Sequence, residues 1–114
     1  LVDTSLNDIE DVTGVEKLNN TIASGVTMAF FHADWCRNCE EIRPTVEAVS
    51  KDADLDFAQF IEVNYDDNTD VFEDKSVHTF PQLLFFVNGE EKSRLKGKSH
   101  SQEAITAELE KYRP

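Results

Sequence analysis

The stretch Phe31-His32-Ala33-Asp34-Trp35-Cys36-Arg37-Asn38-Cys39 decides how this chain reads. Before it, Val26 to His32 is an apolar run carrying Phe30-Phe31, which suits a short strand buried on both faces. Ala33-Asp34-Trp35 is a brief loop. After it, Ile42, Val46, Val49 and Ala53 recur at helical spacing, with Glu40, Glu41, Arg43, Glu47 and Lys51 off that stripe. Pro44 lies inside this helix and should kink it. The cysteines thus sit where a buried strand gives way to a helix. They are the only two in 114 residues, which rules out a disulfide scaffold.

That placement carries chemistry. A thiolate is the nucleophile, and a free thiol ionises only near pH ~8.5, so activation needs positive potential. The N-terminus of a helix supplies unpaired N–H groups and a partial positive charge. Cys36 opens the helix and can meet a substrate. Cys39 follows one turn later on the same side, within reach of a disulfide bond, and is better placed to resolve a mixed disulfide. Arg37 adds a cation beside Cys36, while Asp34, Glu40 and Glu41 oppose it. The competing reading of Cys-x-x-Cys is half of a zinc site, which needs four ligands. Only His32, His78 and His100 remain to supply them, and the strand-then-helix setting disfavours a zinc knuckle, so no metal is expected. Two inert cysteines are the remaining alternative.

Outward from the motif the pattern alternates. Val15, Leu18 and Ile22 predict a first helix over Val15 to Ser24, stopped by Gly25, with a weak strand before it near Ile9. Phe57 to Tyr65 reads as a strand and Asp66 to Lys75 as a short helix, its acidic residues at the start where negative charge is favoured. A calcium loop there would lack the required Gly and the closing Glu. Leu83 to Val87 is a continuous apolar strand. Asn88-Gly89 is a hairpin turn, since both residues tolerate positive φ, and Glu91 to Lys96 returns as a more polar edge strand. Ile105, Leu109 and Tyr112 mark a last helix, capped by Ser99 or Ser101. The fold class is α/β. Parallel strands with helical crossovers, plus an antiparallel C-terminal hairpin, form a central mixed sheet flanked by about four helices. Residues 1–114 form one domain, with 1–8 a loosely ordered N-terminal extension.

Composition narrows the function. Eleven Lys and Arg stand against 23 Asp and Glu, a net charge of −12. Such a surface repels a phosphate backbone and anionic lipid, so neither nucleic acid nor a membrane is an expected partner. At 39% hydrophobic with eight Phe, the chain is too apolar for a disordered acidic tail. No apolar run approaches the ~18 residues of a membrane span. The chain starts at Leu1 with no basic region ahead of an apolar one, so a signal peptide is not visible and cleavage or trimming is expected. Few cysteines and no signal favour a soluble intracellular protein of the cytoplasm or an organelle stroma such as the plastid.

The residues from Phe31 to Cys39, with Pro44, Phe80-Pro81, Asn88-Gly89 and Gly97, resemble the thioredoxin family from about Ile9 to Tyr112. The resemblance implies a thioredoxin fold and a thiol–disulfide oxidoreductase without a bound cofactor. Its substrates would be protein disulfides, its electron source a partner reductase or thiol pool, and its working form a monomer. It implies a cis peptide before Pro81, facing the sulfurs, and a docking surface formed by Trp35, Arg37, Asn38, Phe80 and Pro81. With a cis bond the backbone of Phe80 could pair with an extended substrate segment.

The chain also departs from the family. Gly-Pro between the cysteines is replaced by Arg37-Asn38, a Cys-Arg-x-Cys pattern similar to atypical plant-type and algal thioredoxin-like proteins. The family's buried Asp in the strand before the motif is matched by Phe30, and its neighbouring Lys by Glu62. A loop aromatic is matched by His32, and the residue after the proline, commonly Thr, is Gln82. Loss of the buried acid should slow resolution by Cys39. His32 is either a substitute proton acceptor or, the commoner outcome for histidine, a solvated loop residue. His78, in the loop before Pro81, reads as a surface residue or as part of the substrate face, and His100 sits near the start of the last helix. The rival function is a redox sensor or non-catalytic binding module on the same fold, and an oxidase or isomerase role is a third.

Overall fold

The apolar run Val26–His32 forms strand β2, and every one of its seven residues is buried. Successive side chains in a strand point to opposite faces, so β2 serves two cores. Val26, Met28 and Phe30 pack with Ile42, Val46 and Val49 of helix α2 (Arg37–Ser50) and with Ile105 and Leu109 of α4 (Gln102–Glu110). Ala29 and Phe31 pack with Leu18 and Ile22 of α1 (Val15–Ile22) and with Val71 and Phe72 of α3 (Thr69–Asp74). A computed structural model describes residues 9–114, so the expected extension over 1–8 lies outside the described residues.

Around β2 stand β1 (Glu10–Asp11), β3 (Ala58–Asn64), β4 (Gln82–Val87) and β5 (Glu90–Lys96), in the order β1-β3-β2-β4-β5. β1 and β2 run parallel to β3, while β4 runs antiparallel to both β2 and β5. The mixed sheet with a C-terminal antiparallel hairpin and four flanking helices is as the sequence predicts. One connection differs from a simple alternating reading, because α3 does not return the chain to the start of the sheet. Its six residues span about 9 Å at ~1.5 Å each. The seven residues of β3 span about 23 Å at ~3.3 Å each. Residues 75–81, which follow α3, bring the chain in at the end where β2 and β3 finish, and β4 runs back against β2.

Element ends follow local chemistry. α1 stops at Ile22 rather than Ser24, with Gly25 at φ 78° beyond it. α2 runs through Pro44 to Ser50, so Ala53 lies not on its stripe but in a separate 3-10 turn, Ala53–Leu55, where Asp52 accepts the Asp54 N–H at 2.9 Å. Another 3-10 turn, Tyr65–Asp67, precedes α3. Asn88 and Gly89 take φ of 51° and 87°, as the hairpin requires. The Asn88 side chain accepts the Gly25 N–H at 2.8 Å, tying the hairpin tip to the loop before β2. Ser101 caps α4, its hydroxyl accepting the Ala104 N–H at 3.1 Å. Tyr112 lies beyond α4 and packs on Phe85, ring centroids 6.4 Å apart. No helix among the described residues is long and apolar enough to cross a membrane.

α4 is also pinned through its buried Glu108, whose carboxylate accepts from Ser93 of β5, from Lys111 at 3.0 Å and from Tyr112 at 3.3 Å. The Ser93 hydroxyl, against the opposing effect of burial and with help from Lys111, holds the Glu108 carboxyl below the usual carboxylate range. A carboxyl lowered on folding adds stability above its unfolded pKa and loses it as pH falls through the folded value. Glu108→Gln should therefore weaken the protein at neutral pH and flatten the fall of its urea midpoint into acid. An acid limb unchanged from that of the parent protein would contradict this. Phe85, fully buried in the α2–α4 core, should cost about 3–5 kcal/mol on truncation to Ala, measured by denaturant unfolding.

Candidate active site

Because β2 is locked on both faces, the three residues after it have little freedom, and the chain turns at once into α2. Cys36 is the N-cap of α2, with φ −90° and ψ 110°, and Cys39 lies one turn inside. The Cys36 sulfur accepts the Cys39 N–H at 3.2 Å, so it occupies the position an N-cap oxygen usually takes. The two cysteines are joined as a disulfide with Cα atoms 5.3 Å apart. Cys36 is 8% exposed and Cys39 2%, so the outer sulfur belongs to the first residue of the pair. Arg37 and Asn38 occupy the first turn and are exposed; among the described residues Arg37 forms no salt bridge.

Trp35 is 63% exposed, an unusual placement for a large aromatic. Its indole N–H donates to Asp66 at 3.2 Å, which fixes the ring while leaving a face open. It meets Phe80 edge-on at 5.5 Å and Tyr65 at 6.2 Å, and Phe80 in turn contacts Tyr65 and Phe72. The Phe80–Pro81 peptide is cis. The ladder of β4 begins at Gln82, opposite Phe31 and Lys96, so Phe80 stands just outside it. Pro81 is buried, and its carbonyl accepts the Gly97 N–H at 2.9 Å. Phe80, ahead of the cis peptide to Pro81, thus meets Trp35, the chain neighbour of Cys36, although it lies far along the chain.

On the inner side of the motif the structure departs from expectation. His32 is not a solvated loop residue. It ends β2 with 4% exposure, stacked on Phe30 at 4.9 Å, because its even-numbered position turns it toward α2. Its Nε2 lies 3.0 Å from a Glu62 carboxylate oxygen, close enough for an ion pair but too bent for a well-formed hydrogen bond. The same oxygen accepts from Arg43 at 2.9 Å, and Arg43 also lies over the Phe30 ring and 3.7 Å from Glu47. The His32 ring and Arg43, against burial, hold the Glu62 carboxyl below its usual range. Nearby on β1, burial and the Glu62 charge push Asp11 up. His32, Ala33, Asp34, Cys39, Glu40 and Arg43 line a cavity of about 100 Å³.

Sequence reasoning placed both cysteines and the aromatic partners, and it raised His32, but it missed the Glu62–Arg43 pairing and the anchoring of Trp35 by Asp66. Position 62 alternates onto the same face as Phe60 in β3, which was the available signal for Glu62. Asp66 shows no such period, since it sits in an irregular turn. His78 is exposed and His100 half-buried, its Nε2 2.8 Å from the Lys96 carbonyl.

Comparison with known proteins agrees with this geometry. The sequence model of the family described as Thioredoxin matches residues 11–111. A thioredoxin of Chlamydia caviae is 31% identical over 86 residues, 75% of this chain and 82% of that one. The mitochondrial thioredoxin-2 of Schizosaccharomyces pombe is 34% identical over 98 residues, 82% of this chain and 72% of its own length. Among solved structures, a mutant thioredoxin from Halobacterium salinarum superposes with a TM-score of 0.83 at 27% identity, covering 95% of this chain and 93% of that one. With a paired Cys36 and Cys39 at the mouth of α2 and the family match running across nearly the whole sheet, this chain belongs to the thioredoxin family and is a thiol–disulfide oxidoreductase.

Proposed function

We propose that Cys36 is the nucleophile and Cys39 the resolving thiol. The observation that carries this assignment is their depth: Cys36 caps the helix at the surface beside exposed Trp35, and Cys39 lies a turn deeper. In the reduced protein the Cys36 thiolate attacks a substrate disulfide, forming a mixed disulfide and expelling one substrate sulfur, which takes up a proton. Cys39 then loses its proton and attacks the Cys36 sulfur. The internal disulfide forms, the second substrate sulfur leaves, and two electrons have passed to the substrate. A reductase or thiol pool restores the dithiol. Trp35, Arg37, Asn38, Phe80 and Pro81 form the docking surface, and the Phe80 backbone outside the β4 ladder offers pairing to an extended segment.

The finer partner assignment rests on charge. A net charge of −12 favours targets with basic rims and disfavours acidic ones. The protein would work as a monomer, since the open Trp35 face is needed by substrate. A compartment that keeps thiols reduced, cytoplasm or an organelle stroma such as the plastid, suits a chain whose only cysteines are the working pair.

In dithiothreitol-driven reduction of insulin, Cys36→Ser should fall to the uncatalysed background. Cys39→Ser should accumulate a mixed disulfide on Cys36, seen by mass spectrometry. A trapped adduct on Cys39 in the Cys36→Ser protein would reverse the roles. Arg37 lies next to Cys36 and favours its thiolate, hence the reduced form. Arg37→Gly should therefore make the couple more reducing, by about 5–20 mV if the exposed cation contributes as surface charges usually do. A redox titration showing an unchanged or higher potential would contradict this.

A further inference from the structure

We propose that His32, oriented by Glu62, takes the proton that Cys39 must lose to close the disulfide. The inference rests on the assignment of Cys39 as the resolving thiol. Its starting point is chemical: Cys39 must lose a proton, and Phe30, fully buried on β2, cannot accept one. Two residues on, His32 faces the same side, and its ring and Cys39 line one cavity of about 100 Å³. A polar-lined space of that size has room for water to bridge two groups.

The ring is poised rather than satisfied. Buried polar atoms are almost always hydrogen-bonded, and an exception calls for a reason. Nε2 of His32 is such an exception, 3.0 Å from Glu62 without good hydrogen-bond alignment. With Nε2–H turned to the carboxylate, Nδ1 carries the lone pair that accepts a proton. A neutral imidazole is a base that can take a proton from a thiol placed within reach of it. The groups facing the ring come from every neighbouring element: Glu62 on β3, Arg43 and Glu40 on α2, Asp34 in the loop and Asp11 on β1. Arg43 shares the Glu62 oxygen and keeps that carboxylate ionised and in place.

The step balances within the established exchange. The Cys39 S–H bond breaks and its proton passes to His32, directly or through water, giving an imidazolium beside the Glu62 carboxylate. The electron pair left on Cys39 forms the bond to the Cys36 sulfur, and the bond from Cys36 to the substrate sulfur breaks. The leaving sulfur or solvent takes the proton from the ring. His32 is the proton acceptor in this scheme and Glu62 a positioning residue.

Reaction of the reduced, full chain with Ellman's reagent separates the two halves, because each sulfur transfer releases one coloured thiolate whose own departure needs no proton. The fast phase reports attack by Cys36 and the second phase resolution by Cys39. His32→Gln should slow the second phase about 10- to 100-fold near neutral pH, within the range of general-base effects, and leave the first nearly unchanged. It should remove the histidine-range limb from the second phase's pH profile and converge with the parent protein in alkali, where the thiol ionises unaided. Glu62→Gln, at a partly exposed site, should shift that limb, and it decides the matter if His32→Gln does not fold. A second phase with the same pH profile in both variants, or in Glu62→Gln alone should the other fail to fold, would overturn the role of the pair. A second phase that survives in Cys39→Ser would instead overturn the assignment of the resolving thiol.

Discussion

The double burial of β2 is the constraint on which the rest depends. Seven consecutive residues sealed between two helical layers leave the strand no freedom to slip or twist. The backbone leaving its C-terminal end is held as firmly as the core itself. It enters α2 sharply, so that a thiol sits on the first orphan N–H groups of a helix. The outer cysteine of the pair is thereby placed at the mouth of α2 by packing far beneath it.

The same strand explains how the site gathers its other parts. β4 lies next to β2 and begins opposite Phe31, so the residues just before β4 arrive beside the residues just after β2. Phe80 and Trp35 meet there, with Tyr65 delivered from the end of β3. Three chain segments distant in sequence converge because three neighbouring strands finish or start at one end of the sheet. Asp66, in the turn after β3, then fixes the indole of Trp35 without covering it.

On the inner side, charge has been redistributed among strand positions. The place on β2 where the family carries a buried acid holds Phe30, and a carboxylate stands instead on β3, as Glu62, directly across in the register. Apolar Phe30 avoids the desolvation of a second charge, while Glu62 is compensated by Arg43 and His32. The acid of this region thus stands on the neighbouring strand, against the ring of His32.

The residues alone determined everything with a short period or a short spacing. The apolar run of β2, the helical stripe of α2, the Asn88-Gly89 turn and the separation of Cys36 from Cys39 are local properties, written in consecutive residues and set by backbone sterics and burial. Phe80-Pro81 was legible only through likeness to a family. The tertiary structure decided the rest: that β4 runs antiparallel to β2, that His32 is buried rather than solvated, and that Glu62 and Arg43 close around it. Those contacts join residues tens of positions apart, and which polar groups meet depends on strand register and on the face each helix presents, neither of which is expressed in local periodicity.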